Sequence, residues 1–92
     1  MDNLLSSFYG INIYINNTAG STDASTVLAK SEKCSGVFYL SNGKMKSGTF
    51  DAAGRSLIAN WIDDNLAAIK KNIERYDSGN NILQIAPLNI DQ

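Results

Sequence analysis

The sequence predicts one α+β domain: a small, mainly antiparallel sheet with a single long helix packed across one face. Three observations predict it. Isoleucines alternate at positions 11, 13 and 15, an Asn42-Gly43 pair sits between two alternating runs, and from Asp51 the apolar residues change to helical spacing around Trp61. A strand turns its side chains to opposite faces at every step, while a helix brings back the same face after three or four residues. The change of period therefore marks the change of element.

The first strand is GINIYIN, with Ile11, Ile13 and Ile15 on one face and Asn12, Tyr14 and Asn16 on the other. After it comes NNTAGSTDAST, residues 16 to 26, which holds no aliphatic side chain larger than alanine and reads as a mobile, non-catalytic loop. STVLAKSEK follows as a second strand, β-branched at its start and fraying at Ser31-Glu32. In CSGVFYLSNGKMKSGTF, Asn42-Gly43 supplies the two positive φ angles of a type I′ turn. The resulting register sets Leu40 against Met45, Phe38 against Ser47, Tyr39 against Lys46 and Val37 against Gly48.

Asp51 is the expected helix N-cap, and Leu57, Ile58, Trp61, Ile62, Leu66, Ile69 and Ile73 recur at the steps of an amphipathic helix. Lys70, Lys71 and Arg75 lie near its end, where the dipole favours cations, and Ser78-Gly79 stops it. At 1.5 Å per residue a helix of about twenty-five residues is roughly 37 Å long, enough to cross the whole sheet. NILQIAPL reads as a short last strand or extended tail, closed by Pro87 in a way that suits a sheet edge. The expected core is Ile11, Ile13, Ile15, Phe38, Leu40, Met45 and the helix stripe.

Composition limits the chemistry. Ninety-two residues, 43% of them hydrophobic, make one domain. Eight Lys and Arg nearly balance nine Asp and Glu, so the net charge of −1 gives no global attraction to nucleic acid or to an anionic membrane. The one cysteine, Cys34, forms no intrachain disulfide and reads as a small core residue in a reducing compartment. MDNLLSSFYG has neither the basic start nor the apolar run of a signal peptide, so the chain reads as cytoplasmic. Asn16-Asn17-Thr18 matches a glycosylation sequon that matters only in a eukaryotic secreted protein.

There is no histidine, which removes Ser-His-Asp and Cys-His nucleophile systems together with histidine metal sites. Asp63-Asp64 is the only adjacent carboxylate pair, and neighbours on a helix point about 100° apart, so they cannot flank one bond. No glycine-rich phosphate loop is present. No cofactor, metal or catalytic residue is expected.

Phe8-Tyr9-Gly10-Ile11, the run from Gly43 to Phe50, Trp61 within LIANWIDDNLAAI, and Ile85-Ala86-Pro87-Leu88 follow one another in this order. In this the chain resembles small bacterial proteins grouped as domain of unknown function 4160. The resemblance implies that residues 16 to 26 stand where those proteins carry a His-rich loop. None of its histidines or prolines is present here, so any metal or acid-base chemistry of that loop is lost. Its members are similar to proteins of toxin-antitoxin-like gene pairs, which implies a regulatory partner.

The leading expectation is a non-enzymatic module that occupies a partner protein's surface, as an inhibitor, antitoxin or immunity-type regulator does. Its site is the sheet face opposite the helix, where Tyr14, Val37, Tyr39, Lys44, Lys46 and Phe50 project. The exposed helix flank around Asn60, Asp63, Asp64 and Lys71 is the second candidate. Nucleic-acid binding on the sheet face is the alternative, with tyrosines stacking on bases and lysines meeting phosphates, and an acidic pI of about 5.1 opposes it. A degenerate metal enzyme is the third reading, opposed by the missing histidines.

Overall fold

The computed structural model describes residues 3 to 18 and 21 to 88. Five strands, β1 (Leu4–Phe8), β2 (Ile11–Thr18), β3 (Ser21–Lys30), β4 (Ser35–Tyr39) and β5 (Met45–Thr49), precede one helix, α1 (Ala52–Asp77). The strands pair antiparallel in chain order, and α1 covers one face. The α+β class is the expected one, three details of it are not, and a fourth resolves an open alternative.

The first is β1, which has no counterpart in the sequence reading. Phe8 pairs with Ile11, and Tyr9 (φ 50°) and Gly10 (φ 77°) between them hold the two positive angles of a type I′ turn. Ser6, Ser7 and the bulge between Leu4 and Ser6 interrupt the alternation that would have marked the strand.

The second is the turn after β4. Asn42 keeps a negative φ and only Gly43 (φ 72°) is left-handed. Tyr39 N donates to Lys44 O (2.9 Å) and Gly43 N to Tyr39 O (2.9 Å), so four residues, Leu40 to Gly43, form the loop. The register is therefore Phe38 with Met45, Val37 with Ser47 and Gly36 with Gly48, and Lys46 is the extra residue of a bulge. Packing overrides the turn signal here. Leu40 is drawn into the core, its N–H bonded to Ser25 O (2.9 Å), and Gly43 lies against Ala59, where a Cβ would approach to 3.0 Å.

Residues 16 to 26 are the third correction. The described part is not a free loop, because Asn17 pairs with Thr22 and Thr18 with Ser21, while Ala19-Gly20 lies outside the described residues. Ile15 pairs with Val27, so the segment from Asp23 to Thr26 bulges out. Asp23 holds the bulge, its carboxylate accepting from Ser25 N (2.9 Å), Ser25 Oγ (2.7 Å) and Thr26 Oγ1 (2.8 Å).

Fourth, of the two forms expected for NILQIAPL, a last strand or an extended tail, it takes the second. It is an extended strap along α1 to the edge of β1, with one ladder-like bond, Ile85 N to Leu5 O (3.0 Å). Side chains supply the rest: Asn72 Nδ2 donates to Leu83 O (2.6 Å), Leu83 N donates to Asn72 Oδ1 (2.9 Å), and Trp61 Nε1 donates to Ala86 O (3.0 Å).

The helix begins as expected, with Asp51 Oδ1 accepting from Gly54 N at 2.7 Å, and ends on Ser78. It kinks at Asn65 (φ −126°, ψ 19°), whose side chain donates to Trp61 O at 2.9 Å and competes with the backbone ladder. Trp61 is fully buried at the centre, its ring 5.7 Å from that of Phe8. Around it lie the expected Ile11, Ile13, Ile15, Phe38 and Leu40, with Leu5, Val27, Phe50, Ile85 and Leu88 added and Met45 half-buried against them.

Candidate protein-binding face

Alternation decides which side chains the helix leaves uncovered. Ile13, Ala29 and Gly36 point toward α1, so their neighbours Tyr14, Leu28 and Val37 point away. Register aligns them. Leu4 pairs with Tyr14, Tyr14 with Leu28, Leu28 with Val37 and Val37 with Ser47, giving one row across all five strands. At about 4.8 Å per strand the row is about 19 Å long. Its first four members are half-buried apolar or aromatic residues.

Polar rows flank it. On one side Asn12, Lys30, Ser35 and Thr49 are in register, with Ser7 Oγ donating to Asn12 Oδ1 (2.6 Å). The Lys30 ammonium lies 5.9 Å from the centre of the Tyr14 ring, a cation–π geometry. On the other side Thr26 pairs with Tyr39, and Tyr39 faces Lys44 through the backbone bond already described. Asn16 Nδ2 donates to Thr26 Oγ1 (3.0 Å), which in turn donates to Asp23, so Thr26 is fully buried although it lies on the uncovered face. The Asp23 carboxyl is held below its usual value, chiefly by the bonds from Ser25 and Thr26 and to a lesser degree by the positive charge of Lys46.

The structure thus puts Tyr14, Val37 and Tyr39 on one face with Lys44 and Lys46 exposed at its β5 side. Tyr39 is 36% exposed. Phe50 is a correction: it is buried, edge-on to Phe38 at 5.7 Å, because the chain turns inward there to start α1. Leu28 and Lys30 were missed, and the signal was present. Val27, Leu28, Ala29 and Lys30 alternate, and orienting that strand against the isoleucines would have placed Leu28 outward.

The second candidate surface is divided. Asn60 and Asp63 border a cleft against the Leu40–Gly43 loop, Lys71 borders a groove against the strap, and Asp64 borders neither. The kink at Asn65 lies between the two. Cys34 is half-buried against the core, its N–H bonded to Ser31 Oγ (3.1 Å), as a small structural residue would be. Among the described residues no three His, Cys, Asp or Glu side chains cluster to hold a metal, and no helix is long and apolar enough to cross a membrane.

Compared with protein-family models, curated proteins and solved structures, the chain has no significant match. The likeness to the domain of unknown function 4160 proteins gains no support from these comparisons, and the site is read from its residues alone.

Proposed function

We propose that this protein is a small non-enzymatic protein-binding module that acts by occupying a partner's surface, in the manner of an inhibitor, antitoxin or immunity-type regulator. The observation that carries the reading is the in-register row of Leu4, Tyr14, Leu28 and Val37 across four strands of the uncovered face. Half-exposed tyrosines and lysines are ordinary on an open sheet, and edge lysines also discourage aggregation. A continuous apolar row with an aromatic residue beside it is less ordinary. It has the composition of an interface centre, and Lys30, Lys44 and Lys46 have that of a rim.

Nucleic acid suits the face less well. A base would stack on a tyrosine ring, and the Lys30 ammonium already sits over Tyr14.

The test is capture from lysate of the native host by immobilised wild type, by Leu28→Glu and by Tyr39→Ala, with folding checked by circular dichroism. The reading expects a protein retained by wild type and lost by the folded variants. Equal retention by all three moves the site elsewhere, and retention of nucleic acid with a steep salt dependence favours the alternative.

A further inference from the structure

We propose that the groove between α1 and the C-terminal strap is a binding site for a small amphipathic carboxylate, a ligand of about ten heavy atoms with an apolar body. Steps of three and four residues bring Ala68, Lys71, Asn72 and Arg75 onto one strip of the helix. The strap runs beside this strip, its backbone fixed by the double bond between Asn72 and Leu83 and by Trp61 on Ala86. Between them lies an open groove of about 280 Å³, bordered by Asn65 at the kink. At about 30 Å³ per water that is room for roughly nine waters.

Charge and polarity choose the ligand. Lys71 and Arg75 line the groove, and among the described residues no carboxylate does. The nearby acid, Glu74, does not line the groove but a shallow depression beside it that the same two cations border. Residues four apart on a helix have Cβ atoms about 5 to 6 Å apart, close enough for both cations to reach one anion. The remaining wall is mostly apolar, formed by Ala68, Ile85, Ala86 and Leu83, itself 59% exposed, with the amides of Asn65, Asn72 and Gln84 among them. An inorganic anion would leave that wall against water, and a neutral ligand would leave the cations unanswered. An anion with an apolar body meets both.

Phenylacetate is the probe, and the protein holds its own reporter. Trp61 is the only tryptophan, and its indole N–H bonds the carbonyl of Ala86 in the groove wall. Titration should give a saturable change in Trp61 fluorescence at millimolar ligand, with amide NMR shifts at residues 83 to 86 and none at Tyr14 or Leu28. Acetate and 2-phenylethanol, each lacking one half of the chemistry, should bind at least about tenfold more weakly, as should phenylacetate to K71Q/R75Q, the loss expected when charge-assisted bonds are removed. Both substitutions are on the helix surface, and an unchanged melting temperature checks the fold. The proposal is overturned if phenylacetate causes no saturable shift at the groove, if 2-phenylethanol or acetate binds equally well, or if folded K71Q/R75Q binds as wild type does.

Discussion

Single side chains fix the centre of this molecule and the chemistry of its uncovered face. Trp61 was legible from the sequence as the middle of the helical stripe, and it is fully buried between sheet and strap. Trp61→Ala should cost about 3 to 5 kcal/mol in urea denaturation, the usual range for emptying a large aromatic site. A loss below about 1 kcal/mol would contradict that burial. Asp23 was not legible, because its partners Ser25 and Thr26 gather around it only within a bulge that no periodicity announces. Its carboxyl titrates below the usual 3.8 in the folded chain. A depressed carboxyl adds stability above its unfolded pKa and loses it as the pH falls through the folded one. Wild type should therefore melt above Asp23→Asn at neutral pH, with the gap closing below pH 3.8 as the native carboxyl takes up its proton. A gap that persists unchanged in acid would mean that the charge on Asp23 does not hold the bulge.

At the scale of elements, β2, β4 and α1 were legible because one face of each is buried and the apolar period shows it. Turns and edges were harder. The same Asn-Gly signal that favours a two-residue turn gave way to the burial of Leu40, while the actual type I′ turn carries a tyrosine at its first position. The two glycines separate conformational from packing effects. Gly10→Ala meets open space and should cost about 1 to 2 kcal/mol, the strain of a left-handed alanine. Gly43→Ala carries the same strain and also drives a Cβ to 3.0 Å from Ala59, so its loss in denaturation should be clearly the larger. The strap was half legible: Ile85 and Leu88 are apolar enough to predict burial, but nothing local reveals that Asn72 pairs with the backbone of Leu83 as a strand would. Asn72→Ala should cost about 1 to 2 kcal/mol, with faster hydrogen exchange at the Leu83 and Ile85 amides than elsewhere. Uniform acceleration across the sheet would mean that the strap and the core open as one unit.

For the whole molecule, the two layers leave one sheet face to α1 and one to solvent, and the charge is unevenly divided between chain segments. Residues 21 to 50 carry Lys30, Lys33, Lys44 and Lys46 against Asp23 and Glu32, a surplus of two positive charges in a chain whose net charge is −1. The uncovered face was legible as a face, but its row was not, because the row exists only through four successive strand registers, and bulges in β1, β3 and β5 shift three of them. On the protein-binding reading, the row and its rim should have separable effects on a partner. Leu28 and Tyr39 contribute contacts that form once water is excluded, so truncating either to alanine should mainly speed dissociation. Lys44 and Lys46 are exposed and sit at the border, where their field acts before contact. For an acidic partner, Lys44→Glu with Lys46→Glu should slow association by about tenfold at low salt, change dissociation little, and flatten the dependence of the association rate on ionic strength. Surface-plasmon measurements at several salt concentrations would resolve the two. If the lysine pair instead governs dissociation and Leu28 and Tyr39 leave it unchanged, the contact is centred on the β5 edge and the apolar row is not its core.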